Sequence, residues 1–107
     1  MLVRKYYSNT NVQDNNGRTA LIHAALTNDT ELASFLVKEC KADVNLQTKW
    51  KDTALHFAVS HDNHEMVKLL VQDGGANMKV VNSDLKRPKA LAKSREVRSI
   101  LARLAEG

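Results

Sequence analysis

The core of a nine-residue phrase in this chain is written twice. GRTALIHAA at Gly17–Ala25 returns as KDTALHFAV at Lys51–Val59, so Thr19, Ala20, Leu21 and Ala24 reappear 34 positions later as Thr53, Ala54, Leu55 and Ala58. The same offset carries Glu31 onto Glu65, Leu36–Val37 onto Leu70–Val71 and Ala42 onto Ala76. It also carries Asn11 and Gln13 onto Asn45 and Gln47, and Leu2–Val3 onto Leu36–Val37. A fixed period of this size means that one small unit is copied, each copy burying its apolar side against its neighbours. The sequence therefore opens near the end of a preceding unit's second helix. Two readings of that start stay open: a fragment of a larger multi-repeat protein, or an unusual natural N-terminus.

Each unit reads as two short helices. Thr19 and Thr53 are suited to the N-cap, where a hydroxyl accepts from a first-turn N–H. Ala24 and Ala58 leave room for a neighbouring helix to come close. The second helix begins near Glu31 or Glu65, acidic residues at the positive helix end. Leu32, Phe35 and Leu36, then Met66, Leu69 and Leu70, fall at i, i+3, i+4 and mark one helical stripe. Gly74–Gly75 tolerates the left-handed backbone that ends such a helix, and Cys40–Lys41 makes a weaker stop in the unit before. A polar link with an extended core at Val44–Asn45–Leu46 joins the units. Only 5% of the 107 residues are aromatic, which favours close helix packing over a β-sandwich.

These phrases resemble the ankyrin repeat family, whose unit runs G-x-T-P-L-H-x-A-A, G-H-x-E-I-V-x-L-L-L and G-A-D-V-N. GRTALIHAA, DTELASFLV and ADVN carry it once; KDTALHFAV, NHEMVKLLV and GAN carry it again. The resemblance implies an all-α ankyrin-repeat solenoid of stacked helix–turn–helix units joined by β-hairpin-like fingers, in a single domain over 1–107. The expected divisions are the end of a preceding unit at 1–14, repeats at 15–48 and 49–82, and a C-terminal capping repeat at 83–107. In that last unit Pro88 takes the position after a cap, Arg87 replaces the capping threonine, and the linker before Glu96 is three residues shorter. EVRSILARL then puts Val97, Ile100, Leu101 and Leu104 on one face, with Arg95, Arg98 and Arg103 elsewhere. The chain departs from the family in its period of 34 rather than 33, the extra residue falling at Cys40 and Gly74. Lys51 stands where glycine is preferred, making that turn costlier or differently shaped. Ile22 replaces the first unit's histidine.

The residues give no catalytic set. His56, three after Thr53, resembles the family histidine that exchanges hydrogen bonds around a helix start. His61, His64 and Glu65 fall in a turn without the spacing of a zinc site, and Cys40 has no CxxC partner. Gly74–Gly75 lacks the Lys-Ser/Thr of a phosphate loop. The expectation is no enzyme, no metal and no cofactor. No apolar run is long enough to span a bilayer, and no secretory signal is visible at the start. With a single cysteine, the chain is expected in the cytoplasm or nucleus.

What the resemblance implies instead is a protein–protein interaction module, a scaffold or adaptor that binds a protein or peptide. Its partner-binding positions are the finger tips Asn15, Asn16 and Arg18, then Lys49, Trp50 and Asp52, with Ser83 and Lys86 continuing towards the cap. The concave first-helix face adds Leu26, Thr27, Ser60 and His61. Trp50 has two readings: a hot-spot anchor for the partner, or a ring folded over lysine stems or the adjacent repeat. Net charge +4 is unevenly spread, because 79–107 holds eight Lys/Arg against three Asp/Glu. The alternative is therefore an anion-binding adaptor using that basic region on nucleic acid or an acidic membrane, although it contains no aromatic residue for stacking bases.

Overall fold

A computed structural model describes residues 10–106. The unit expected to end at residue 14 lies largely outside them. Among the described residues five α-helices follow one another: α1 Ala20–Thr27, α2 Thr30–Lys38, α3 Ala54–Ser60, α4 His64–Lys68 and α5 Arg95–Glu106. A π-helical turn at Leu69–Asp73 extends α4, and a 3-10 turn at Pro88–Leu91 precedes α5. There is no strand among the described residues.

Local chemistry explains where each helix starts. The Thr19 hydroxyl accepts from the Ile22 amide, and the Thr53 hydroxyl accepts from the His56 amide. Both threonines are buried, so an uncapped amide there would have no water to turn to. Asp29, Asn63 and Ser94 cap the second helices, accepting from the amides of Leu32, Met66 and Val97. The spacing from Asn63 to Ser94 is three residues short of the period, as the sequence anticipates. The loss falls on the third unit's first helix, reduced to the 3-10 turn with Pro88 at its start and no side-chain cap from Arg87.

First helices form one layer and second helices another. In the first, α1 packs on α3 and α3 on the 3-10 turn; in the second, α2 meets α4 and its π turn, and α4 meets α5. Ala24, Ala25, Ala33, Ala54 and Ala58 are completely buried, which is how layers poor in aromatic rings come close. Leu21, Ile22, Leu55, Met66, Val67, Leu70 and Val97 fill the space between. In α5, Val97, Ile100 and Leu101 are buried and Leu104 half-buried, while Arg95, Arg98 and Arg103 are exposed.

The extra residue of the 34-residue period sits at the ends of the second helices. The Cys40 amide donates to the Phe35 carbonyl and the Gly74 amide to Leu69, both five residues back. One residue is thus absorbed by widening the last turn. Gly75 and Lys41 then both turn left-handed, with φ of 68° and 56°. Cys40–Lys41 is therefore the same stop as Gly74–Gly75 in shape, achieved at a non-glycine cost. The extended core expected at Val44–Asn45–Leu46 is corrected in part: Val44 and Asn45 form a turn, because Asp43 accepts the Asn45 amide on its own side chain.

Candidate functional site

Three fingers project from the helical layers, and each is built by the same bonds. The Asp14 amide donates to the Arg18 carbonyl, the Thr48 amide to Asp52 and the Asn82 amide to Lys86, closing loops with their tips between. Inside each loop the first residue's side chain holds two amides. Asp14 Oδ1 accepts from Asn16 and Arg18, Thr48 Oγ1 from Trp50 and Asp52, and Asn82 Oδ1 from Asp84 and Lys86. The fourth residue of each is left-handed: Gly17 at φ 78°, Lys51 at 69° and Leu85 at 61°. Lys51 therefore keeps the turn's shape and carries the steric cost of a side chain there.

Neighbouring fingers are tied tip to tip. The Lys49 amide donates to the Asn16 carbonyl and the Ser83 amide to Trp50, each at 2.9 Å. Side-chain amides run alongside: Gln13 Nε2 donates to the Gln47 carbonyl at 3.0 Å, and Gln47 Nε2 to Val81 at 3.4 Å. Asn11 Oδ1 accepts the Asp43 amide and Asn45 Oδ1 the Asn77 amide. His56 adds a tie from the core. Its Nδ1 accepts from the Thr53 amide at 3.1 Å, which leaves the proton on Nε2, and Nε2 donates to the Lys86 carbonyl at 3.0 Å. The expected capping role of His56 is thus joined to a second one, holding the next finger.

On this frame the tip positions divide. Trp50 is 44% exposed, with Lys49 Nζ 4.7 Å and Arg18 Cζ 5.8 Å from its ring centroid. Arg18 reaches it from the finger before. The ring is therefore covered by cations in part and open in part. Arg18 Nε is buried with no hydrogen-bond partner. Asn15 is exposed, whereas Asn16, Ser83 and Lys86 already lend backbone groups to the finger ties. The Asp52 carboxylate accepts from Asn82 Nδ2 at 2.9 Å, which makes it a structural bridge more than a free anion.

The helix-face positions lie at the ends of α1 and α3. Leu26 and Ser60 are half-buried, Leu26 against the core, and Thr27 and His61 are exposed. The Thr27 hydroxyl is spent on the His23 carbonyl at 3.0 Å. His64 Nε2 approaches Asp62 at 3.5 Å, and Asp62 accepts from the Ser94 hydroxyl. Among the described residues no three His, Cys, Asp or Glu side chains gather into a metal cluster.

Asp14 has a carboxyl held below its ordinary value. The Arg18 amide is the main cause; partial burial opposes it, and the Asn16 amide and His23, 3.2 Å away, act in the same lowering direction. Asp14, Thr48 and Asn82 are residues the sequence reading passed over. Their signal was there: three turn-forming side chains at the same phase of the repeat.

A family model described as ankyrin repeats in three copies matches residues 1–82. The chain belongs to the ankyrin repeat family. The ankyrin repeat domain of Bcl-3, a member of the IkappaB protein family, superposes with a TM-score of 0.85 at 30% identity, covering 94% of this chain and 45% of that one. Alpha-latrotoxin-Lg1a of Latrodectus geometricus is 40% identical over 58 residues, which is 52% of this chain and 4% of the toxin. A putative ankyrin repeat protein, L371, of Acanthamoeba polyphaga mimivirus is 31% identical over 78 residues, 73% of this chain and 10% of its own length. The chain thus spans a small part of the relatives it matches. Ankyrin repeats are generally protein–protein interaction modules, and this chain carries their fold.

Proposed function

We propose that this ankyrin domain is a non-enzymatic scaffold or adaptor module, acting in the cytoplasm or nucleus. It binds a protein or peptide through its finger tips and the exposed ends of α1 and α3. The observation that carries this reading is Trp50: a large ring, 44% exposed, on a tip whose backbone is bonded to both neighbouring fingers. Such a ring loses little freedom on binding, because its frame is already ordered. Lys49 and Arg18 around it supply donors and charge to a partner that covers the open part of the indole.

The test is to capture binding proteins on the immobilised chain and titrate each against wild type and Trp50→Ala. A partner of the tips should bind the variant about 30-fold more weakly, the range of an aromatic hot spot. The melting temperature should stay within about 2 °C, since the ring is not part of the core. Unchanged affinity would remove Trp50 and the tip surface from the account.

A further inference from the structure

The last helical pair ends in a face unlike the junction before it. In the pair before it, α3 and α4 pack against the third pair, and Thr53, Leu55 and Leu70 are buried. Their counterparts, allowing for the shortened linker, are Arg87, Lys89 and Leu101. Arg87 and Lys89 are exposed cations. Val44, buried, lies so close to Gly74 that a Cβ there would stand 2.6 Å from it. The counterparts of that pair, Met78 and Ala105, line an open groove of about 480 Å³ instead. Leu101 shares its lining with them, Ala76, Asn77 and Ala102 join it, Lys79, Arg87 and Lys89 bring charge, and among the described side chains no carboxylate lines it. The inter-unit ties also lapse: Val81 replaces Gln47 and Lys79 replaces Asn45, so neither amide is there to grip a following finger. None of the tip positions borders this groove.

We propose that the groove is a second binding site, for an acidic peptide segment of a partner protein. One apolar side chain of that segment seats on Met78 and Ala105, over the buried Leu101. Carboxylates on either side of it are held by Lys79, Arg87 and Lys89. Charge selects the partner, because three cations on one groove attract carboxylates and repel basic segments. An apolar floor adds what a phosphate chain does not need, and among the described residues no aromatic ring lines it on which a base could stack. A flat bilayer surface offers headgroups to protruding cations and no side chain for a recess.

Fluorescence anisotropy on the full chain tests this with a labelled octapeptide carrying one leucine among glutamates. The double variant Arg87→Ala/Lys89→Ala should bind it at least tenfold more weakly and with a shallower salt dependence. Ala105→Glu, on the exposed side of α5, should do the same, as should replacing the peptide's leucine by serine. Trp50→Ala should leave this affinity unchanged, which separates the site from the finger tips. Arg87→Glu/Lys89→Glu should exchange preference towards a lysine-flanked peptide, a gain that misfolding cannot imitate. The proposal is overturned by an absence of saturable binding or by indifference to the leucine. It is equally overturned if a single-stranded oligonucleotide or phosphatidylserine vesicles bind more tightly with the same dependence on Arg87 and Lys89.

Discussion

His56 shows how much one buried side chain can govern in a repeat. It is completely buried, and its two nitrogens serve the Thr53 amide on one side and the Lys86 carbonyl on the other. His56→Ala leaves a buried amide without a partner and a hole beside it, and should cost about 2–4 kcal/mol in a denaturant titration. Amide exchange should quicken at Lys86 as well as at Thr53, because the third finger loses its anchor. Asp14 makes a different case at the surface. Its folded carboxyl is held below the ordinary 3.8, so its contribution to the first finger is complete above that value and is lost as pH falls through the lowered one. Asp14→Asn keeps an oxygen for the Arg18 amide, as Asn82 does for Lys86, and should abolish the acid-induced loosening of that finger. Exchange of the Arg18 amide between pH 5 and 2 would record it.

At the scale of elements, strain and close approach sit at fixed phases of the repeat. Lys51 and Leu85 hold a left-handed conformation that Gly17 takes without cost, so Lys51→Gly should stabilise the fold by about 1 kcal/mol. A loss of stability would mean that the Lys51 side chain makes a compensating contact. Gly74 is the opposite case. Gly74→Ala would put a Cβ 2.6 Å from Val44 Cγ1 and 2.8 Å from the Leu70 carbonyl oxygen, and should destabilise by about 1–3 kcal/mol. Val44→Ala in the same chain should recover part of that, measured as a double-mutant cycle. The helices were legible in the sequence because Thr19, Thr53 and the leucine stripes report themselves through capping and period. The widened last turns were legible only as an extra residue, since length reveals an insertion but not the hydrogen bonds that absorb it. The tips were legible as positions through the family resemblance. What covers Trp50 was not, because Arg18 reaches it from another finger, and a contact across units leaves no mark in local spacing. The extended core expected at Val44–Asn45–Leu46 failed for a local reason: Asp43 folds back on the Asn45 amide and turns the backbone there.

For the molecule as a whole, the helical pairs are interdependent. Taking away residues 83–107 would remove the elements packed against α3 and α4 and strip His56 of the Lys86 carbonyl. The shortened chain should lose the cooperative thermal transition of the intact one, followed by far-ultraviolet circular dichroism. An unchanged transition would mean that the first two pairs stand alone. The finger ties described above have a consequence for ancestry. Because Gln13 and Gln47 each tie their own finger to the next one, a tandem duplication of residues 15–48 would carry its own adhesive and slot in without altering either flank. A duplication of the stretch ending at Val81 would carry none. Lengthening by gene duplication is therefore easiest from the interior of the stretch that carries the glutamines.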